Sequence, residues 1–294
     1  MRYAVNKKDS SKNRFLVVVV FIAIAFVAWW LLLDRKTNAP VSDLSTSNQS
    51  VSQNDQSELP EPSWKPAENS LQTVVEDYVS STKGYYSVMV LQPETGTVLG
   101  QFKSDTDHFA ASLYKLWVVY EGYRKVDDGS FRPDENYLSG WTRGKCLDEA
   151  IRSSHSPCAE KLWAEIGTEY LTEKAREYGA VDTNLVALRT NAADVAQILK
   201  RIALGEGLSA ESKAKYLDSM KTQEALYRRG LPSGFSENAT VYNKVGWNEQ
   251  VEWHDAAIID FGGGKQLIVV ALTENTGSAN VAGLAKVIEG KLPN

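Results

Sequence analysis

Histidine and cysteine are scarce in this chain, with three His and two Cys in 294 residues. No H-E-x-x-H and no Cys/His group at zinc spacing occurs, so a metal hydrolase lacks its ligand set, and neither a metal nor another cofactor is expected. Two cysteines cannot make a disulfide-dense scaffold, and nine prolines with 20 glycines are too few for a collagen-like or Pro/Gly-rich disordered chain. Positive charge is not in excess either. A net charge of -5 and a pI near 5.4 argue against a nucleic-acid partner. What is plentiful is apolar material, 43 % of the residues, enough to bury a sizeable core in one or two domains.

The average charge hides a split. Residues 1–14 carry five basic groups against one acid, whereas 34–294 carry 27 against 36. Between them, residues 15–33 are 19 positions without a charge. As a helix this run would span about 28 Å, roughly the hydrocarbon thickness of a bilayer. The expectation is a cytoplasmic tail over 1–14 and a transmembrane helix over 15–33, with Trp29 and Trp30 as outer interfacial anchors. The alternative, a cleaved signal peptide, has a shorter apolar region and an A-x-A-like site, which is not found here. Ser, Pro, Asn and Gln dominate 34–70, which reads as a flexible tether reaching about 35 Å. The remaining 71–294 reads as the extracytoplasmic folded part, with Asn69-Ser70 as an N-cap before Leu71, Val74, Val75 and Tyr78.

Strand patterns over 86–91 and 97–102 flank the turn Pro93-Glu94-Thr95-Gly96. Helical spacing then fills 113–124, 147–152, 159–166, 172–178, 192–204 and 210–222. Strands return over 239–245, 253–261 and 267–273, and a helix over 280–291 closes the chain. Helix, two strands, many helices, three strands, helix is not a series of βαβ crossovers. The expected fold class is α+β: a five-stranded antiparallel sheet assembled from both ends of the domain, flanked by helices, with an all-helical lobe inserted. Gly262-Gly263-Gly264 lies between two strands and is read as a hairpin turn rather than a phosphate loop. Trp117, Trp163 and Trp253 are expected in the core, and Trp141 and Trp247 along a cleft.

No G-x-S-x-G elbow is present, and His254 beside Asp255 reads as a surface strand residue rather than part of a Ser-His-Asp triad. The informative stretch is Ser112-Leu113-Tyr114-Lys115, which opens a helix after the hairpin. Residues three apart share a helical face, so the Lys115 amine can sit beside the Ser112 hydroxyl. A serine hydroxyl needs a base, and a lysine can serve if burial or nearby cations favour its neutral form. Amide donors at a helix start could also stabilise an oxyanion there. Alone the motif is weak: Ser80-Ser81-Thr82-Lys83 matches it too, at the end of the first helix, and is read as incidental.

Taken with Ser154-His155-Ser156 in the helical middle and Lys244-Val245-Gly246 on a late strand, the order resembles the serine β-lactamase and penicillin-binding superfamily, class A in particular, over 71–294. The resemblance implies that Ser112 is the acylated nucleophile and that Lys115 handles its proton. It implies that Ser154 relays a proton to the leaving nitrogen, and that Lys244 supplies positive charge for a substrate carboxylate and helps keep Lys115 neutral. Ser156, Gly246 and Trp247 would bind substrate, with the backbone N–H groups of Ser112 and Trp247 as the oxyanion hole.

Three positions depart from the pattern. Ser156 stands where the family has asparagine, Val245 where it has Thr or Ser, and 183–193 contains no acid to match the loop glutamate that activates the deacylating water; Asp182 and Asp194 only flank it. Cys146 and Cys158 bracket the Ser154 segment. Outside the cytoplasm they are expected to pair, adding about 3 kcal/mol by loop-closure entropy and holding Ser154 in place; two free buried thiols are the alternative. The resemblance implies a membrane-anchored serine hydrolase or acyltransferase acting on an amide, a peptidoglycan stem peptide or a β-lactam. The other reading is a weak or inactive relative that binds cell-wall peptide or a partner protein in the same cleft.

Overall fold

The computed structural model describes residues 64–248 and 252–292. The expected tail over 1–14, the span over 15–33 and most of the tether over 34–70 lie outside the described residues. Among the described residues no helix is long and apolar enough to cross a membrane.

The chain runs through α1 (Gln72–Ser81), the hairpin β1 (Tyr85–Leu91) and β2 (Val98–Phe102), and the short β3 (His108–Phe109). A 3-10 turn (Ala111–Tyr114) leads into α2 (Lys115–Asp127). The inserted lobe continues with β4 (Asn136–Leu138), β5 (Trp141–Thr142), α3 (Arg143–Arg152), α4 (Ser156–Ile166) and α5 (Thr168–Glu177). It ends with β6 (Arg189–Thr190), α6 (Ala192–Leu204) and α7 (Ala210–Lys221). The one-turn α8 (Leu231–Gly234) precedes β7 (Thr240–Trp247), β8 (Trp253–Asp260), β9 (Gln266–Glu274) and α9 (Ser278–Glu289).

The five long strands form one sheet in the order β2-β1-β9-β8-β7, with every neighbouring pair antiparallel. The five-stranded antiparallel sheet is the expected one, but the inserted lobe is not all-helical: β4 pairs with β5, and β6 pairs with β3. The unbroken apolar run from Leu267 to Leu272 follows from the sheet's position, because β9 is covered on both faces. Ile268, Val270 and Leu272 join the core under the helical lobe, while Leu267, Val269 and Ala271 join the outer core. That outer core is closed by Val75 and Val79 of α1 and by Val281, Leu284 and Ile288 of α9. The helices approach closely enough that a Cβ on Gly283 would come within 2.2 Å of the Tyr78 hydroxyl oxygen. Gly262, Gly263 and Gly264 turn between β8 and β9 with φ of 77°, 59° and 80°, the left-handed region that favours glycine.

Two local expectations are corrected. The first helix is not capped by Asn69 or Ser70: Leu71 occupies the N-cap with no side-chain cap, and its N–H bonds to Leu99 O in β2 at 2.7 Å. Tertiary pairing with the sheet replaces the local cap. Trp64, ahead of the expected start of the folded part, packs on the outer core, and its carbonyl accepts from Gln92 Nε2 at 2.6 Å.

Candidate active site

Helix α2 is buried from Lys115 to Tyr123, and its N-terminal end meets β7 and the start of α4. Ser112 lies not in the α-helix but in the preceding 3-10 turn. Residues three apart eclipse one another in 3-10 geometry, so Ser112 and Lys115 leave the turn on the same side. Ala111, just before Ser112, is held at φ 43°, a left-handed conformation that costs a non-glycine residue on the order of 1–3 kcal/mol. The surroundings fix it there. Ala110 N–H bonds to Leu188 O at 2.7 Å, and His254 holds the carbonyl of Phe109 at 2.9 Å. Gly246 leaves room on the other side, since a Cβ there would meet Ala110 O and Leu113 Cγ at 3.0 Å.

Lys115 and Lys244 are 1 % and 0 % exposed, and both reach Ser154. Lys115 Nζ donates to Ser154 O at 2.5 Å and lies 3.2 Å from both Ser154 Oγ and Ser156 Oγ. Lys244 Nζ lies 3.0 Å from Ser154 Oγ and donates to Val245 O at 2.6 Å. Ser154 is itself held at φ 55°, a second strained residue at the same spot. Four of the residues singled out in the sequence, Lys115, Ser154, Ser156 and Lys244, therefore form one hydrogen-bonded cluster. Ser112 Oγ makes no hydrogen bond with the described residues.

Burial lowers Lys115 from an ordinary 10.5 to about 8, against an opposing pull from the Glu160 carboxylate. Lys244 is driven well below its usual range, first by burial and then by the like charge of Lys115, with Asp255 opposing. Asp255 is pushed up to about 7 by burial, although it accepts from Asn243 Nδ2 at 2.9 Å and from Leu231 N–H at 2.8 Å.

Beside this cluster, Cys146 and Cys158 form a disulfide with a Cα separation of 5.1 Å, tying α3 to α4 across the Ser154 loop. Trp141 packs at 4.9 Å on the His155 ring, and His155 caps α4 by accepting from Cys158 N–H. The Trp247 ring packs 6.0 Å from Trp253, against the outer core. Its backbone faces the other way. Asn248 N–H bonds to Glu252 O, and antiparallel pairing alternates, so the Trp247 N–H points to the open edge of β7. Val245 is 1 % exposed within the outer core.

The reading of His254 as a surface residue is overturned: it is 0 % exposed. Its Nδ1 accepts from Thr273 N–H at 3.0 Å, so Nε2 carries the proton donated to Phe109 O, and burial lowers it to about 4. A sheet covered on both faces buries polar and apolar residues of β8 alike. His108 bridges Ser87 Oγ at 2.8 Å and Glu274 Oε1 at 3.0 Å. Those are triad distances, yet Ser87 is 1 % exposed, out of a substrate's reach. Asp194 caps Asp182 N–H and the Thr183 hydroxyl at 2.9 and 2.8 Å, which commits it to holding its own loop.

The profile of the beta-lactamase enzyme family matches residues 66–288. Among solved structures, the ancestral (GNCA) class A beta-lactamase superposes with a TM-score of 0.69 at 20 % identity, over 76 % of this chain and 100 % of its own. A putative class A beta-lactamase, PenP, from Rhodopseudomonas palustris gives 0.68 at 20 %, over 76 % and 99 %. A beta lactamase from Xanthomonas campestris pv. campestris gives 0.68 at 17 %, over 76 % and 98 %. No curated protein matches the chain.

Proposed function

The chain belongs to the beta-lactamase enzyme family, and from that membership we propose that it is a serine acyl-transfer enzyme whose nucleophile is Ser112, acting on β-lactam or peptide-like amides. The observation that supports this most strongly is the pair of buried amines meeting on Ser154. A neutral Lys115 keeps two N–H donors, enough for Ser154 O and one hydroxyl, and a lone pair for the Ser112 proton. Ser112 Oγ then attacks the amide carbon, and the oxyanion settles against the N–H groups of Ser112 and Trp247. Ser154, between the two lysines, passes a proton to the leaving nitrogen as the C–N bond breaks. Lys244 and the Gly246 edge of β7 receive the substrate carboxylate, and Ser156 the substrate amide. The chain is anchored by residues 15–33 with the domain outside the cytoplasm, a reading supported by the charge split around that run; peptidoglycan stem peptide is then the natural substrate class.

A second reading, a weak or inactive relative that binds cell-wall peptide or a partner protein, is favoured by one feature: Ser112 Oγ is not hydrogen-bonded to Lys115. A fluorescent penicillin separates the two. The full-length chain is expected to take covalent label and Ser112→Ala to take none. Equal labelling of both, or neither label on the wild type nor release of hydrolysed drug by it, contradicts the acyl-serine reading.

A further inference from the structure

The loop that should supply a water-activating glutamate has none, and the acids flanking it are tied to their own loop. The face of α4 that looks at the cluster has one. Ser156, Glu160 and Trp163 are spaced four and then three apart, which places them in one stripe along the helix. Both ends of that stripe touch the Tyr114–Lys115 turn: Ser156 Oγ lies 3.2 Å from Lys115 Nζ, and the Trp163 ring packs 5.7 Å from that of Tyr114. Glu160, bracketed between them, faces the same turn. Its field acts on both Lys115 and Tyr114. Glu160 is exposed, and its carboxylate forms no hydrogen bond or ion pair with the described residues. Glu165 on the same helix, by contrast, is bound by Arg143 and Tyr137.

We propose that Glu160 is the general base that activates the deacylating water, entering from α4 instead of from the loop before α6. The inference rests on the acyl-serine reading of Ser112. A water between Glu160 and the acyl carbon gives its proton to the carboxylate as its oxygen bonds to that carbon. The tetrahedral species then collapses, the C–Oγ bond to Ser112 breaks, and the proton returns to Oγ. The product leaves as a free acid, and the enzyme is restored.

Full-length wild type, Glu160→Gln and Glu160→Asp are pulsed with a fluorescent penicillin, and label formation and label release are timed separately; thermal melts confirm that each folds. Removing the Glu160 charge takes away its upward pull on Lys115, so label should form on Glu160→Gln at least as fast as on wild type. Release should slow by about 10²–10⁴-fold in Glu160→Gln and recover in part in Glu160→Asp. Equal release from wild type and Glu160→Gln, or slower label formation with release unchanged, overturns the role of Glu160 and leaves Ser112 standing. Neither label nor hydrolysed drug from wild type overturns both.

Discussion

Replacing Lys115 with methionine should slow acylation of Ser112 by about 10²–10⁴-fold, the usual contribution of a positioned general base. Methionine fills the lysine stem as far as Cε and suits a position that is 1 % exposed, so the fold is retained while the amine and its lone pair are lost. Wild type should show a matching pH dependence. Lys115 is lowered to about 8 by burial and only the neutral amine accepts a proton, so the acylation rate should climb with pH up to about 8 and then level. Lys115→Met should lose that climb. Stability should follow the same group with a definite sign. Between about pH 8 and its ordinary 10.5 the folded chain has shed a proton that the unfolded chain still holds, so this group's contribution to stability rises with pH across that window. Stopped-flow penicillin acylation over pH 6–10 checks the first claim; a flat profile, or a Lys115→Met variant with wild-type rates, contradicts it.

The second large effect is on stability. The Cys146–Cys158 bridge closes a loop with a sequence separation of 12, for which chain entropy gives about 3 kcal/mol. Both residues are 0 % exposed, so a Cys146→Ala/Cys158→Ala variant also loses packing. In a domain of this size the melting temperature should fall by about 6–12 °C. The Ser154 loop lies inside the closed segment with a strained backbone, so acylation should slow in the same variant. Calorimetry of wild type and variant decides it, and an unchanged melting temperature refutes the structural role of the bridge.

The end of the sheet was legible because β9 carries an unbroken apolar run set off from β8 by three glycines, a pattern that survives burial on both faces. The Ser112–Lys115 spacing sets both residues on one side of the 3-10 turn, as it would in an α-helix, yet Lys115 Nζ bonds to Ser154 and Ser156 rather than to Ser112. What pattern could not reveal is tertiary. His254 and Asp255 look like surface residues until β9 and α8 cover them. The φ of Ala111 and Ser154 follows from contacts with Leu188, His254 and Lys115, all distant in sequence. The Trp247 ring turns to the outer core because Trp253 lies opposite in the ladder, a register no local signal announces. Glu160 has only a weak local signal, an acid one helical turn after Ser156, whereas the family resemblance points to the loop before α6.

Everything turns on where an acyl group would attach. Incubating the full-length chain with benzylpenicillin, quenching in acid and mapping the proteolytic peptides by mass spectrometry should place one adduct, of the mass of the intact opened drug, on Ser112. An adduct confined to Ser154 or Ser156, or neither adduct nor hydrolysed drug at saturating concentration, would contradict the account.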